Sequence, residues 1–124
     1  MQIRVYYEDT DAGGIVYHTN YIKYCERARS EAFFEQGMMP NEDERSGFIV
    51  KHLKCDFFSS AKLGDLLEVK TSILQLKGSY ILLLQEVFRD RTKVFSMEIQ
   101  LVYVKATKPT RMPEKFRELF VKLM

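Results

Sequence analysis

Polar and apolar residues follow different periods along the chain. Residues 2–7 alternate between the two types, which predicts a short, half-buried strand. From His18 to Gln36 the apolar side chains recur on one broad face, as in a helix of about 18 residues and roughly 27 Å. Gly37 follows directly, and glycine is the residue that most often closes a helix C-terminus. The pattern therefore predicts one strand followed by one long helix.

Alternation returns after a polar connection, in four longer segments that turn residues separate. The turn signals are Gly64-Asp65, Lys77-Gly78-Ser79 and Asp90-Arg91-Thr92. Pro113 follows these segments and suits the first turn of a short terminal helix. The four segments predicted as strands are Phe48–Phe58, Leu67–Ile73, Tyr80–Arg89 and Lys93–Lys105.

The order of these elements indicates an α+β fold, in which a strand, a long helix and four consecutive strands form one unit. With 124 residues the chain is expected to be a single domain (1–124), because single cores split only in much longer chains. We expect one antiparallel sheet of about five strands, covered on one face by the central helix. Such a sheet has open edges, and pairing with a second copy of the chain is the expected way to cover them.

The overall charge and the cysteine content narrow the function classes. A formal net charge of +2 is too small for a protein that follows a phosphate backbone, so no nucleic-acid partner is expected. No apolar run reaches the roughly 18 to 20 residues of a membrane span, and no signal-peptide pattern opens the sequence. With only two cysteines, the chain is expected in a reducing cytoplasm, without stable membrane insertion.

Metal and cofactor sites find no support in the motifs. His18 and His52 belong to no paired-histidine motif, and Cys25 and Cys55 form no C-x-x-C pair. The sequence contains neither a nucleophile-elbow motif nor a phosphate-binding loop motif. We therefore expect no metal and no cofactor. His52, on a predicted strand, is expected to be an ordinary packed histidine or else a substrate contact. Cys25 is expected to be a small core residue.

One loop carries most of the candidate chemistry. Glu8, Asp9 and Asp11 precede the pair Gly13-Gly14, and the long helix is predicted to begin shortly afterwards. A carboxylate can act as a general base for water or as a nucleophile toward an acyl carbon. The free N–H groups at a helix start can stabilise the oxyanion that develops. The same residues also fit a solvated turn whose aspartate caps the helix, so spacing alone leaves both interpretations open.

Two segments resemble the active site of hotdog-fold acyl-CoA thioesterases: YEDTDAGGIVYHTNY at 7–21 and ERAR at 26–29. The chain is most similar to the Tol-Pal-associated YbgC group of the 4-hydroxybenzoyl-CoA thioesterase family. The turn ending in Gly64-Asp65 also matches, so the resemblance covers nearly the whole chain. It implies a hotdog fold, in which the antiparallel sheet wraps around the long central helix. It further implies hydrolysis of fatty or related acyl-CoA to free acid and CoA, by a cytoplasmic homodimer or homotetramer in lipid metabolism.

The resemblance also assigns roles to single residues. It makes Asp11 the catalytic carboxylate, which either attacks the thioester carbonyl or activates water. His18 falls at the helix start, where a backbone N–H polarises the carbonyl; its imidazole orients substrate or moves a proton, or is an ordinary structural residue. Tyr7 matches an aromatic position beside the site, where its hydroxyl holds the carboxylate or a water, or its ring packs in the core. Glu8 and Asp9 are expected to support the loop, with at least one of them directed away from Asp11.

Two other functions are compatible with the same fold. An acyl dehydratase usually shows Gly/Pro-rich residues after its histidine, and those are missing after His18. A module that binds acyl groups or acyl carrier protein, in phospholipid metabolism or the cell envelope, has no need of Asp11, so catalysis is favoured. Basic residues near the predicted hairpin tip and the terminal helix are either solvated surface or contacts for CoA phosphates; they are Arg89, Arg91, Lys93, Lys108, Arg111 and Lys115.

Overall fold

Residues 1–123 are described in this computed structural model, and within them the chain forms six strands and two α-helices. The strands are β1 (Gln2–Arg4), β2 (Ser46–Phe57), β3 (Leu66–Leu76), β4 (Tyr80–Arg89), β5 (Thr92–Lys105) and β6 (Lys108–Pro109). The helices are α1 (Thr19–Phe34) and α2 (Glu114–Val121). A 3-10 turn at Tyr7–Asp9 lies between β1 and α1.

The strands join into one antiparallel sheet, in the order β1-β3-β4-β5-β2, with β6 also paired to β5. Short turns connect β3, β4 and β5, which are neighbours in the sheet as well as in sequence. β2 instead lies on the far side of β5, although it precedes β3 in the chain. Register shifts after Val50 and Ile73 mark β-bulges, which increase local bending and twist. This topology makes β2 a long edge strand.

Helix α1 packs across β3 and β4 and closes the core on one face of the sheet. Gly37 has a φ of +67°, and its N–H donates to the Phe34 carbonyl at 2.9 Å. The Met38 N–H donates to the Phe33 carbonyl at 3.0 Å, which satisfies the end of the helix in the manner of a Schellman motif. The side chains that α1 buries are Tyr21, Tyr24, Cys25 and Phe33.

The terminal helix α2 closes one end of the core with aromatic side chains. Phe116 and Phe120 lie edge-on to Phe33, at centroid distances of 5.4 and 5.7 Å. Phe48 and Tyr103 add the contribution of β2 and β5 to the same cluster. Edge-to-face rings gain electrostatic attraction in addition to their burial, so α2 is firmly attached to the sheet.

Strand β2 differs from the other long strands because α1 covers only part of its inner face. Val50 pairs with Leu101 of β5 and therefore points to the same side of the sheet. Leu101 is buried, whereas 51% of Val50 is exposed, and so is 51% of Phe57 farther along the strand. The described chain thus carries a half-open apolar groove between α1 and β2.

Most predicted elements are confirmed with small shifts at their ends. β4 spans the predicted residues, α1 lies inside the predicted helix, and Cys25 is fully buried in the core. The predicted α+β architecture of one antiparallel sheet around one long helix is also confirmed. The sheet has six strands instead of about five because β6, only two residues long, adds to β5. Pro113 precedes α2 instead of occupying its first turn.

Two sequence expectations are wrong in this part of the molecule. β1 ends at Arg4, and Tyr7 lies in the 3-10 turn instead of continuing the strand, because the backbone closes on itself between Tyr6 and Asp9. His52 is exposed instead of packed, since it pairs with Gln100 on the outer face of the uncovered edge strand. Among residues 1–123, neither helix is long and apolar enough to cross a membrane.

Candidate active site

The acidic loop forms a short hairpin at residues 9–16, here called the acidic hairpin, whose arms are joined by an antiparallel bridge. The Asp11 N–H donates to the Ile15 carbonyl at 2.9 Å, and the Gly14 N–H donates to the Asp11 carbonyl at 3.0 Å. Gly14 has a φ of +81°, a conformation that glycine adopts at little cost. The glycine therefore allows a tight turn with Asp11 at its start.

A second loop, at residues 58–65, fixes the acidic hairpin from one side. The Val16 N–H donates to the Ala61 carbonyl at 2.8 Å. The Arg89 guanidinium donates to the Ser60 carbonyl and lies 3.8 Å from the Asp65 carboxylate, so it ties this loop to β4. The position of Asp11 thus depends on the sheet as well as on its own hairpin.

The Asp11 carboxylate is exposed and held in one direction. Its Oδ1 atom accepts a hydrogen bond from the Gly13 N–H at 2.8 Å. A Cβ atom on Gly13 would lie only 3.2 Å from the same oxygen, so the missing side chain leaves room for this contact. An open cavity of about 550 Å³, here called the hairpin cavity, lies beside the carboxylate. Its lining residues are Tyr7, Thr10, Asp11, Ala12, Gly14 and Leu63.

Asp9 lies on the opposite, buried side of the hairpin. Only 8% of Asp9 is exposed, and its carboxylate accepts a hydrogen bond from the Tyr6 N–H at 2.8 Å. Its carbonyl accepts two more, from the Tyr17 N–H and the Asn20 side-chain amide, both at 2.9 Å. The expectation that one carboxylate points away from Asp11 is confirmed. Asp9 and Asn20 together fasten the hairpin to the start of α1.

Two buried tyrosines of α1 lie next to the 58–65 loop and the acidic hairpin. The Tyr21 hydroxyl accepts a hydrogen bond from the Ala61 N–H at 3.1 Å, and burial raises the pKa of that hydroxyl. The Tyr24 hydroxyl makes no well-formed hydrogen bond with any described residue. Burial raises the pKa of Tyr24 as well, and the nearby Asp9 carboxylate raises it further. The sequence analysis singled out neither tyrosine, and the proximity of Tyr24 to Asp9 was not predicted.

The start of α1 leaves backbone donors open. The helix begins at Thr19, and the His18 side chain makes no capping hydrogen bond. Within residues 1–123, no group accepts a hydrogen bond from the backbone N–H of His18 or Thr19. The His18 ring instead packs near Tyr17 and Phe57, at centroid distances of 4.7 and 6.1 Å. Free N–H groups and the positive end of the helix dipole make this point attractive to developing negative charge.

The structure brings together two of the three predicted site residues. Tyr7 and Asp11 line the hairpin cavity, whereas His18 does not. Tyr7 is 82% exposed, so the alternative that its ring packs in the core is wrong for the described chain. The catalytic roles assigned to Asp11, His18 and Tyr7 stay predictions. Leu63, which closes the cavity from the second loop, was not predicted because no local signal marks it.

The basic residues considered for phosphate binding are only partly free. Arg89 is committed to the 58–65 loop, and the Lys93 ammonium lies 2.7 Å from the Glu86 carboxylate. In the described part of the chain, no group of three or more histidine, cysteine or acidic side chains is placed to hold a metal ion. The chemistry available at the hairpin cavity is therefore that of an exposed carboxylate, a tyrosine hydroxyl and backbone amides.

Comparison with known proteins adds independent information. Residues 5–120 match the family model of the thioesterase-like superfamily. The acyl-CoA thioesterase YbgC of Helicobacter pylori is 44% identical over 130 aligned positions, which cover 96% of this chain and 97% of that protein. The acyl-CoA thioesterase YbgC of Haemophilus influenzae is 38% identical, covering 95% of this chain and 90% of that protein. Both relatives therefore align along almost the entire chain.

Solved structures show the same fold. A probable thioesterase from Bartonella henselae is 32% identical with a TM-score of 0.80, covering 91% of this chain and 96% of that one. A gentisyl-coenzyme A thioesterase is 27% identical with a TM-score of 0.86, covering 97% of this chain and 98% of that one. The curled antiparallel sheet with its long helix is thus similar to that of thioesterases of known structure.

Proposed function

The chain belongs to the thioesterase-like superfamily as a YbgC-type hotdog-fold thioesterase, and from this premise we propose that it hydrolyses acyl-CoA with Asp11 as the reacting carboxylate. The products are the free acid and CoA. The substrate class comes from the relatives, which are acyl-CoA thioesterases by name. The reacting group is argued below from the acidic hairpin.

One observation carries the assignment of Asp11. Its carboxylate is exposed to the hairpin cavity, and the Gly13 N–H holds it in a single direction. A general base or nucleophile must reach the substrate while its own orientation is fixed, and Asp11 meets both conditions. Asp9 meets neither, because it is buried and occupied by backbone contacts. Glu8 is exposed but does not line the cavity.

Two reaction routes start from this carboxylate. As a base, Asp11 takes a proton from water, the resulting hydroxide adds to the thioester carbon, and the CoA thiolate leaves and takes up the proton. As a nucleophile, Asp11 adds to the thioester carbon itself and displaces the CoA thiolate, and water then hydrolyses the acyl-aspartyl anhydride. In both routes negative charge develops on the carbonyl oxygen. The open N–H groups of His18 and Thr19 are the proposed site for that charge.

The remaining predicted residues act as auxiliaries in this proposal. Tyr7 lines the cavity, and its hydroxyl is proposed to orient a water or the carboxylate. The His18 ring borders the open helix start and orients the substrate beside Phe57. Neither residue is expected to form a covalent bond with the acyl group.

The proposed assembly is a homodimer that pairs further into a homotetramer. Strand β2 is twelve residues long, lies at a sheet edge and leaves half of Val50 and Phe57 exposed. Pairing β2 with the same strand of a second copy covers the open edge of the sheet. A cytoplasmic role in lipid metabolism near the Tol-Pal system, with acyl carrier protein as a candidate partner, is carried over from the resemblance.

The decisive experiment measures thiol release from a panel of aliphatic and aromatic acyl-CoA thioesters. Asp11→Asn is expected to lower kcat/KM about 1,000-fold, the range found for general bases and nucleophiles. Glu8→Gln removes an exposed carboxylate from the same loop and is the matched control, expected to keep wild-type activity.

Two outcomes contradict the proposal in different ways. If Asp11→Asn stays folded and releases thiol at the wild-type rate, Asp11 is not the reacting group. If the wild-type protein binds acyl-CoA and releases no thiol, the chain is a binding module instead of a hydrolase.

A single turnover in oxygen-18 water identifies the nucleophilic route when water opens the anhydride at the Asp11 carbon. The acid formed carries the label in the base route, and also when water opens the anhydride at its acyl carbon. When Asp11 attacks and water then opens the anhydride at the Asp11 carbon, the acid carries an unlabelled oxygen from Asp11 and the label enters the protein. Mass spectrometry of the acid and of the Asp11 peptide reads both results.

A further inference from the structure

A second cavity lies between the C-terminal half of α1 and the start of β2, away from the acidic hairpin. It measures about 480 Å³, within the range of small-molecule sites, and we call it the helix–strand cavity. Phe33, Phe48, Leu101 and Phe120 supply apolar walls from four different elements. Arg29 is the only arginine or lysine that lines it within the described residues. The cavity therefore combines apolar walls with one cation.

Arg29 keeps its positive charge without a carboxylate partner. Its guanidinium donates one hydrogen bond to the Gln85 side-chain oxygen at 2.8 Å. No carboxylate oxygen in residues 1–123 lies within 4.0 Å of it. Burial lowers the pKa of Arg29, but an arginine starts from so high a value that it stays protonated. A half-buried guanidinium with unused N–H donors therefore borders the cavity.

Gln85 fixes the guanidinium but does not neutralise it. Gln85 is fully buried, and its amide nitrogen donates to the Cys25 carbonyl at 2.9 Å and to the Thr71 hydroxyl at 3.1 Å. The Cys25 carbonyl can only accept a hydrogen bond, so the amide nitrogen of Gln85 must face it. The amide oxygen of Gln85 is therefore left to accept from Arg29. The core thus holds Arg29 in place through a neutral group, and the guanidinium keeps its positive charge beside the cavity.

We propose that the helix–strand cavity binds an apolar chain that ends in a carboxylate, with the carboxylate on the Arg29 guanidinium. The aromatic and aliphatic walls remove the chain from water, while the guanidinium offers charge-assisted hydrogen bonds to both carboxylate oxygens. These bonds are strong in a partly buried site because water screens them less than at the surface. A neutral chain of the same length lacks this second contribution.

The negative charge of Glu26 repels the carboxylate of a bound ligand, so replacing Glu26 provides a second test of the proposal. Glu26 lies on the turn before Arg29 and also lines the cavity. Its carboxylate accepts a hydrogen bond from the Ser30 hydroxyl at 2.6 Å and makes no ion pair with Arg29. Removing this negative charge should therefore strengthen the binding of an anionic ligand.

The carboxylate chain has two sources. One is a free carboxylic acid, the product class of the proposed reaction; the other is an acyl-CoA whose acyl group carries a second carboxylate at its far end. The first source is tested by binding alone. The second rests on the proposed function, because it requires turnover of the thioester.

Calorimetric titration with decanoate tests the binding site directly. Wild type should bind decanoate at least about tenfold more tightly than decanol, and Arg29→Gln should remove that difference. Arg27→Gln is the matched control, since Arg27 is an exposed arginine on the same helix, and should bind decanoate like wild type. Equal decanoate affinity in wild type and Arg29→Gln, or no binding to wild type, overturns the proposal.

Glu26→Gln keeps the test valid even if Arg29→Gln does not fold. Glu26 is exposed, so its replacement leaves the core intact, and decanoate affinity should rise about threefold. Unchanged or weaker binding contradicts the proposal. Light scattering is run on every variant. A smaller oligomer for Arg29→Gln at unchanged fold places Arg29 in a contact between copies of the chain, and this also overturns the proposal.

The two sources are then separated by thiol release. Thioesters whose acyl groups end in a carboxylate or in a methyl group are compared in wild type and Arg29→Gln. If the variant loses the preference for the carboxylate-ended thioester, the substrate supplies the ligand. If that preference is absent in wild type while decanoate still requires Arg29, the free acid is the ligand. Failure of the proposed function removes only this last comparison, because decanoate binding needs no catalysis.

Discussion

Asp9 and Asp11 lie two residues apart in the acidic hairpin, yet the two sides of the hairpin differ in almost every respect. Asp9 is buried, and its carboxylate and carbonyl together accept three hydrogen bonds, from Tyr6, Tyr17 and Asn20. Asp11 is exposed, and its carboxylate accepts one hydrogen bond, from Gly13. The same residue type thus supports the backbone on one side and is available to a substrate on the other.

The cause of the difference is the backbone between them. In a regular strand, residues two positions apart point to the same face, so Asp9 and Asp11 would share one environment. The 3-10 turn at Tyr7–Asp9 ends at Asp9, and the hairpin turn starts at Asp11, which breaks the alternation. The environment of each carboxylate, and not its position in the acidic run, determines its role.

The largest change in stability is expected from removing the buried carboxylate. Asp9→Ala leaves the Tyr6 N–H without its partner, and we expect the free energy of unfolding to fall by about 2 kcal/mol. Asp11→Ala removes an exposed side chain and should change it by less than about 0.5 kcal/mol. Urea denaturation of both variants measures the difference. If both alanine variants lose the same free energy of unfolding, the buried side of the hairpin does not stabilise the fold more than the exposed side.

A smaller loss is expected from the turn that separates the two sides. A Cβ atom at Gly14 meets nothing within 4 Å, so Gly14→Ala tests backbone strain at a φ of +81° without a steric clash. We expect it to lower the free energy of unfolding by about 1 kcal/mol and to reduce kcat/KM as Asp11 shifts.

Gly47→Ala is the matched control for this substitution. Gly47 also has open space around the added methyl group, but its φ lies outside the left-handed region. It should be neutral or slightly stabilising in thermal unfolding. If Gly14→Ala keeps wild-type stability and full activity, the turn at Gly14 does not hold the tip of the hairpin in place.

The parts of the fold that the sequence predicted are those fixed by local signals. β4 was predicted at its observed bounds because the turn residues Lys77-Gly78-Ser79 and Asp90 flank it directly. The helix end at Gly37 has an equally local cause, the left-handed conformation that glycine accepts. Asp11 was selected on the resemblance of its loop to a known active site; it is exposed beside the hairpin cavity, and its catalytic role stays a prediction.

The features that the sequence did not predict have two causes, a competing local turn and contacts between distant segments. Tyr7 continues the alternation of residues 2–7, but the hydrogen bonds between Tyr6 and Asp9 turn the backbone out of the strand. His52 was expected to be packed because it lies on a predicted strand, but the strand order leaves β2 at the edge of the sheet. The Tyr24 contact with Asp9 joins a helix face to a loop, and no periodicity reveals it.

The Tyr24→Phe variant tests whether the Tyr24 hydroxyl beside Asp9 contributes to stability. The hydroxyl makes no well-formed hydrogen bond, so Tyr24→Phe should change the free energy of unfolding at neutral pH by less than about 0.5 kcal/mol. The pKa of this hydroxyl is raised in the folded state, which means that the unfolded chain releases the proton first. Stability is therefore complete below about pH 10, the ordinary tyrosine value, and falls as the pH rises above it.

Tyr24→Phe should make that alkaline loss less steep without abolishing it, because burial also raises the pKa values of Tyr21 and Tyr103. Chemical unfolding at neutral and alkaline pH, with wild type in parallel, measures the slope. An identical slope in both proteins shows that Tyr24 does not contribute. A large loss at neutral pH shows instead that its hydroxyl is a true partner of Asp9.

The smallest effect is expected on the exposed side of the hairpin, at Tyr7. Its ring is 82% exposed, and its hydroxyl makes no hydrogen bond with any of residues 1–123, so Tyr7→Phe should leave stability unchanged. If the hydroxyl only orients a water or the Asp11 carboxylate, kcat/KM should fall about threefold, the effect of one weak solvated hydrogen bond. Tyr6→Phe is the control, because Tyr6 is also exposed and does not line the hairpin cavity. A loss beyond about 100-fold at Tyr7 means that a second group takes part in the chemistry, since a solvated hydroxyl that only orients a neighbour supplies far less.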